Sequence, residues 1–287
     1  MISIAAIRAI VKKEYLDSVR NKWILGVTAI FLLLALITAY FGAASSGGGV
    51  GIQGFRSTAL LMGATTIILI PIMALMLAYA AVAGEREQGS LALLLSLPIT
   101  RLELLLGKFL GLSLTLATTI VAGYGAAGVV VAAVAGTAYG GEYLAMLGAA
   151  VLLGTAFIAP AIFFSSLVQK RSSALGIGVF LWVFFAFLYT LILFGVYAAT
   201  GGTFPDPSQG GFGAIDFPDW FWGAQLLNPS QAFQLFLGQA FGQSVGGGVG
   251  TTDAPAFVST GSVLASLALW TLVPLLLAFL SLCRRDV

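Results

Sequence analysis

From Trp23 onward the chain alternates between long runs with almost no polar residue and short segments that carry nearly all of its charge. A helix needs about 20 mostly apolar residues to cross the hydrocarbon core of a bilayer. Runs of that length predict six crossings, at about 23–42, 58–83, 109–135, 143–168, 173–199 and 259–282. None of the six contains Asp, Glu, Lys, Arg or His. Pro71, Pro160 and Pro274 fall inside them. Packed neighbours can satisfy the backbone groups a proline frees, so kinked but continuous helices are expected.

Two polar segments carry patterns of their own. Residues 3–22 predict a helix ahead of the first crossing, with Ile4, Ile7, Val11 and Tyr15 in one narrow apolar stripe. Arg8, Lys12, Lys13 and Arg20 accompany the stripe and suit lipid phosphates or snorkelling toward water. A basic flank accounts for these charges alone; an interfacial helix that also touches a partner accounts for the stripe as well, and the two readings are compatible. The second segment is 84–108. Glu85, Arg86 and Glu87 follow the second run, and Gly89 opens a leucine-rich stretch from Ser90 to Leu97. Leu91, Leu94 and Leu95 share one helical face. Pro98 ends that short helix, and Thr100 with Glu103 forms a T-x-x-E capping box that starts the third crossing. A plain connector needs only a few polar residues. A leucine face bracketed by charge is costly in water unless a protein or the bilayer covers it, so 84–108 is read as a docking segment.

The outer segment 200–258 holds Pro205, Pro207 and Pro218, the aromatics Phe217, Trp220, Phe221 and Trp222, and then Asn228-Pro229. Asn228 can cap a helix that has Pro229 at its first position, predicting a surface or re-entrant helix over about 229–242. The tryptophans suit a membrane interface. An aromatic belt plus loop is one reading of the segment. A lid, or a dock for an extracytoplasmic partner, is the other.

Composition turns the pattern into a class. The 287 residues are 59% hydrophobic and 8% charged, with a mean hydropathy of +1.03. Soluble domains carry about 25% charged residues, so the chain is read as an all-α integral membrane protein. With the N-terminus inside, twelve of the thirteen Lys and Arg residues fall on inner segments, leaving only Arg56 outside. Both termini are therefore placed in the cytoplasm and the chain in the plasma membrane. A cleavable signal peptide competes for the N-terminal run, but its apolar stretch of about 20 residues is longer than such segments carry. There are no histidines and one cysteine, so no metal site of the usual kind is expected, and no cofactor or nucleic-acid partner either. Met73 and Met76, a turn apart, read as adaptable packing rather than a copper path.

Absences narrow the function. Gly107-Lys108 is followed by Phe109, and no G-x-x-x-x-G-K-[ST] loop occurs. The chain is not read as an enzyme, and an ATP-driven process would need a separate motor. Uncharged crossings disfavour a carrier built on buried ions.

Gly84-Glu85-Arg86-Glu87, Gly89-Ser90-Leu91, Leu94-Leu95, Pro98, Arg101 and Gly107-Lys108-Phe109, with the basic N-terminal helix and six crossings, resemble the cytoplasmic signature of ABC-2 type transporter permeases. Leu226-Leu227-Asn228-Pro229 and the large last outer loop are most similar to the permeases of nitrous-oxide-reductase maturation (Nos) systems. The resemblance implies that 84–108 is a coupling segment seated in a separate ABC ATPase subunit. Arg86, Glu85 and Glu87 would then make polar contacts with the ATPase, and Leu91, Leu94 and Leu95 would fill its groove. It also implies a second permease copy, most simply a homodimer, and export or mechanical transmission across the membrane in copper-enzyme maturation. The alternative is a membrane anchor that recruits a cytosolic complex without transport.

Overall fold

The computed structural model describes residues 3–41, 55–90, 98–202, 217–242 and 254–284, all in helices, turns or short connections. Among the described residues there is no strand. The helices are α1 (Ile4–Arg20), α2 (Lys22–Phe41), α3 (Phe55–Ala78), α4 (Ala83–Glu87), α5 (Arg101–Ala135), α6 (Gly140–Leu167), α7 (Arg171–Val183), α8 (Tyr189–Ala199), α9 (Asp219–Leu226), α10 (Pro229–Phe241) and α11 (Thr260–Arg284). One π-helical turn, Phe184–Leu188, joins α7 to α8.

Five stretches are long and apolar enough to cross a membrane: Thr58–Glu87, Arg101–Val134, Gly140–Leu167, Arg171–Ala199 and Thr260–Arg284. The first expected crossing falls on α2, whose described apolar part is the shorter Thr28–Thr38. The expected run 58–83 is not one regular helix: residues 79–82 form a turn, and the chain re-enters a helix at α4. The expected 109–135 lies within the longer α5, because Thr100 and Glu103 close both arms of the capping box and start the helix earlier.

α6 is the centre of the bundle. It packs against α11, α3 and α5, and residues from Tyr143 to Ser166 along it are buried. Small residues let neighbours approach, as lipid-embedded bundles require: a Cβ on Gly154 would lie 2.1 Å from Leu116 of α5. Neutral hydrogen bonds tie the middle of the core. The Tyr143 hydroxyl donates to the Tyr124 carbonyl at 2.7 Å, and the Tyr124 and Thr66 hydroxyls lie 2.6 Å apart.

α1 lies along the first turns of α5. The contact runs over Gly107 and Gly111, where an added Cβ would come within 2.6 Å of Ile10 and 2.7 Å of Glu14. The expected apolar stripe is partly borne on this face, but Ile4 is 81% exposed. Ile10 takes its place in the packed surface, because a helix laid across another buries what the groove dictates.

Candidate functional site

The charged residues on both sides of Leu91–Leu97 form the candidate site. Leu91, Leu94 and Leu95 themselves lie outside the described residues. Upstream, α4 is a five-residue helix held at each end by a different neighbour. The Ser165 hydroxyl of α6 accepts from the amides of Val82 and Ala83 at 3.1 and 3.0 Å. The Arg86 guanidinium donates to the carbonyls of Ser166 and Val168 at 3.0 and 2.8 Å, capping the C-terminal end of α6. The Glu87 carboxylate accepts from the Arg171 amide at 2.8 Å, placing negative charge at the start of α7. Gly89 turns the chain away with a φ of +72°, a conformation that suits glycine.

Glu85 makes the third attachment. Its Oε1 lies 2.6 Å from Lys108 Nζ, and that ammonium also reaches Glu14 Oε1 at 3.0 Å. The Lys108 side chain is 2% exposed, and those of Glu85 and Glu14 are 15% and 14% exposed. One buried cation thus bridges α1, α4 and α5. Lys13 adds an outer layer, at 3.4 Å from Glu14, 3.8 Å from Asp17 and 3.9 Å from Glu85. Burial works to lower the Lys13 ammonium, but Glu14, Glu85 and Asp17 outweigh it and hold it above the ordinary lysine range. Glu85 Oε2 is buried with no hydrogen-bond partner among the described residues.

Downstream of the leucines, Pro98 is exposed. Arg101 donates to the Leu282 carbonyl at the end of α11. Glu103, 2% exposed, accepts from its own cap at Thr100 and from the Ser3 amide ahead of α1. The two stems of the segment are therefore fastened to α1, α5, α6, α7 and α11.

The expected site residues separate into two groups. Glu85, Arg86, Glu87 and Arg101 are engaged within the chain, and Lys13 joins the Glu14–Glu85–Lys108 cluster. Arg8, Lys12 and Arg20 stay exposed on α1. The sequence offers Lys108 only as part of Gly107-Lys108-Phe109, and it does not single out Glu14, Glu103 or Arg171 as site residues. The available signal was Gly107-x-x-x-Gly111, one residue from Lys108, which marks the close helix crossing that brings Glu14 to it.

On the opposite side, α9 and α10 are held by uncharged groups. Asn228, fully buried, caps α10 by accepting from Ser230 and Gln231 and donates to the Phe185 carbonyl in the π-helical turn at 2.9 Å. Carbonyls at the end of α9 are capped in turn: Ala224 by the Tyr189 hydroxyl, Leu226 by Ser266 and Leu227 by the Trp270 indole N–H at 2.9 Å. The expectation that both tryptophans sit at a membrane interface is corrected here. Trp220 is 41% exposed, but Trp222 is 1% exposed, because α9 folds back on Phe194 and Tyr197 through Phe217 and Phe221.

Comparison with known proteins gives a concordant result. A family model described as ABC-2 family transporter protein matches residues 8–287. A protein of Pseudomonas aeruginosa described as a probable ABC transporter permease protein NosY is 36% identical over 282 residues, covering 97% of this chain and 98% of that one. A protein of Stutzerimonas stutzeri with the same description is 33% identical over 281 residues, covering 96% of this chain and 97% of that one.

Proposed function

Because the chain belongs to the ABC-2 family of transporter proteins, we propose that it receives movement from a separate ABC ATPase subunit at residues 84–108 and passes it to the whole bundle. The chain is a multi-pass membrane permease. In this reading it crosses six times with both termini in the cytoplasm of a plasma-membrane protein. Leu91, Leu94 and Leu95 enter a groove of the ATPase, and Gly89 and Pro98 delimit that contact. The observation that carries the reading is the fastening of both stems. Glu85, Arg86 and Glu87 on one side, and Arg101 and Glu103 on the other, are bonded to five different helices. A push on a segment so attached moves those helices together instead of bending one loop.

The partner in the membrane is a second copy. Arg171–Ala199 is the least covered of the five long spans, and Val179, Phe180, Phe187 and Leu191 are exposed along it. The likeness to NosY permeases supports service to nitrous oxide reductase maturation, by export or by mechanical transmission to an extracytoplasmic partner at 200–258. The experiment is ATPase turnover of the cognate ATPase subunit in proteoliposomes, with and without this chain. Stimulation by the wild type and its loss in Leu94→Asp are expected. An ATPase indifferent to the chain would leave a passive membrane anchor as the function.

A further inference from the structure

A cleft of about 650 Å³ opens beside the Glu85–Lys108 pair, and its lining combines two kinds of residue. One set is ionic: Lys13, Glu14 and Asp17 of α1, Glu85 of α4, Lys108 of α5 and Arg171 of α7. Another is apolar, contributed by Met76 and Leu77 of α3 and Leu112 of α5. Met76 is 38% exposed. A ligand that satisfies both sets is an amphiphile.

The ionic residues also specify a headgroup. Three carboxylates and three cations line it, so a purely anionic or purely cationic headgroup leaves one set unmatched. Lys108 is consumed by Glu14 and Glu85. Glu85 Oε2 remains a buried acceptor without a donor among the described residues, and the Asp17 side chain, 64% exposed, is approached by Lys13 at 3.8 Å. These carboxylates call for N–H donors, and Arg171 beside them offers a guanidinium suited to phosphate.

We propose that this cleft binds one membrane phospholipid whose headgroup joins a phosphate to a primary ammonium, as in phosphatidylethanolamine. The phosphate lies toward Arg171, the ammonium toward Asp17 and Glu85, and an acyl chain runs over Met76, Leu77 and Leu112. The proposal rests on the reading above that α1 lies at the inner membrane surface. It goes beyond that reading by placing a lipid between α1 and the stem of the coupling segment, where its presence sets how far the two can part.

The test is native mass spectrometry of the full chain released from nanodiscs of mixed phosphatidylethanolamine, phosphatidylcholine and phosphatidylglycerol with matched acyl chains. Phosphatidylcholine carries a cation that cannot donate a hydrogen bond, and phosphatidylglycerol carries no cation. Preferential retention of phosphatidylethanolamine by about tenfold is expected, the size of one charge-assisted hydrogen bond. Asp17→Asn and Arg171→Gln should each reduce that preference, and Met76→Trp should reduce retention of all three lipids. Equal retention of the three lipids, or a preference unchanged in the Asp17→Asn/Arg171→Gln double variant, would overturn the proposal. So would displacement of the lipid by soluble glycerophosphoethanolamine at equal affinity, which would leave the apolar lining without a role. Asp17 is exposed, so its variant reports on binding without a folding defect. Orientation is read separately by labelling Cys283, the only cysteine of the chain, with an impermeant maleimide. Labelling from outside would remove the premise; labelling from inside with no lipid preference would remove the lipid site alone.

Discussion

The ionic end and the neutral end of the bundle solve the same problem by different means. Each must hold short helices against long ones and satisfy carbonyls that a helix end leaves open. At the ionic end, Arg86 and Arg101 cap the carbonyls and Lys108 bridges three helices. At the neutral end, Asn228, Tyr189, Ser266 and Trp270 do the capping, and the single cation, Arg56, donates to the Phe241 carbonyl at 3.1 Å. Neutral bonds are short-ranged and directional, so they fix one geometry. Ion pairs fall off slowly with distance and tolerate displacement of the helices they join. The ionic joint is the end suited to movement, and it flanks the segment assigned to the motor.

The comparison breaks most visibly at Lys108. Lys108→Met leaves the largely buried Glu14 and Glu85 with only the half-exposed Lys13 as a cation, at a cost of about 3 kcal/mol. A large fall in thermal unfolding temperature is expected, with partial recovery in Lys108→Met/Glu85→Gln. An unfolding temperature equal to wild type in the single variant would mean that the cluster is hydrated and carries little. Asn228→Ala is the counterpart at the neutral end. It removes a cap and the Asn228 donation to the Phe185 carbonyl, together roughly 2 kcal/mol, but ATPase stimulation per folded molecule should persist. Stimulation lost along with stability would place the neutral end in the transmission path too.

Gly111→Ala sharpens the contrast without touching a charge. The new methyl would meet Glu14 Cβ at 2.7 Å and the Val11 carbonyl at 3.1 Å, forcing α1 off α5 for about 1–3 kcal/mol. Stimulation should fall more than stability does, since the shift separates Glu14 from Lys108. Lys13→Ala is the smallest change, under about 1 kcal/mol for a half-exposed pair. Because Lys13 is held above its ordinary 10.5, its contribution is present below that value and lost as pH rises through the raised one. The difference between wild type and Lys13→Ala in unfolding temperature should be flat near neutrality, shrink with added salt, and vanish only in strong alkali.

Much of the architecture was legible in the chain because lipid enforces it locally. Backbone groups in hydrocarbon must be paired within their own helix, so apolar runs of crossing length announce themselves. Thr100 with Glu103, and Asn228 with Pro229, are also readable, because a cap and its targets lie within three residues of each other. Leu91, Leu94 and Leu95 were legible as an apolar face, and nothing described in the structure bears on them.

What the tertiary structure decided was the partner of each charge. Arg86 and Glu87 look like exposed residues of a polar turn, yet they bond to groups 80 to 84 positions away. Lys108 finds Glu85 across 23 positions and Glu14 across 94. No periodicity encodes such distances. They follow from which of 36 glycines lies at a helix crossing, and that depends on how whole helices pack. Trp222 likewise reads as an interfacial residue until α9 folds back and buries it. The sequence by itself determined where the chain can cross a bilayer and where helices begin, since those are questions of solvent and of neighbours a turn away. Which charges face a partner and which hold the bundle together was settled only when the helices met.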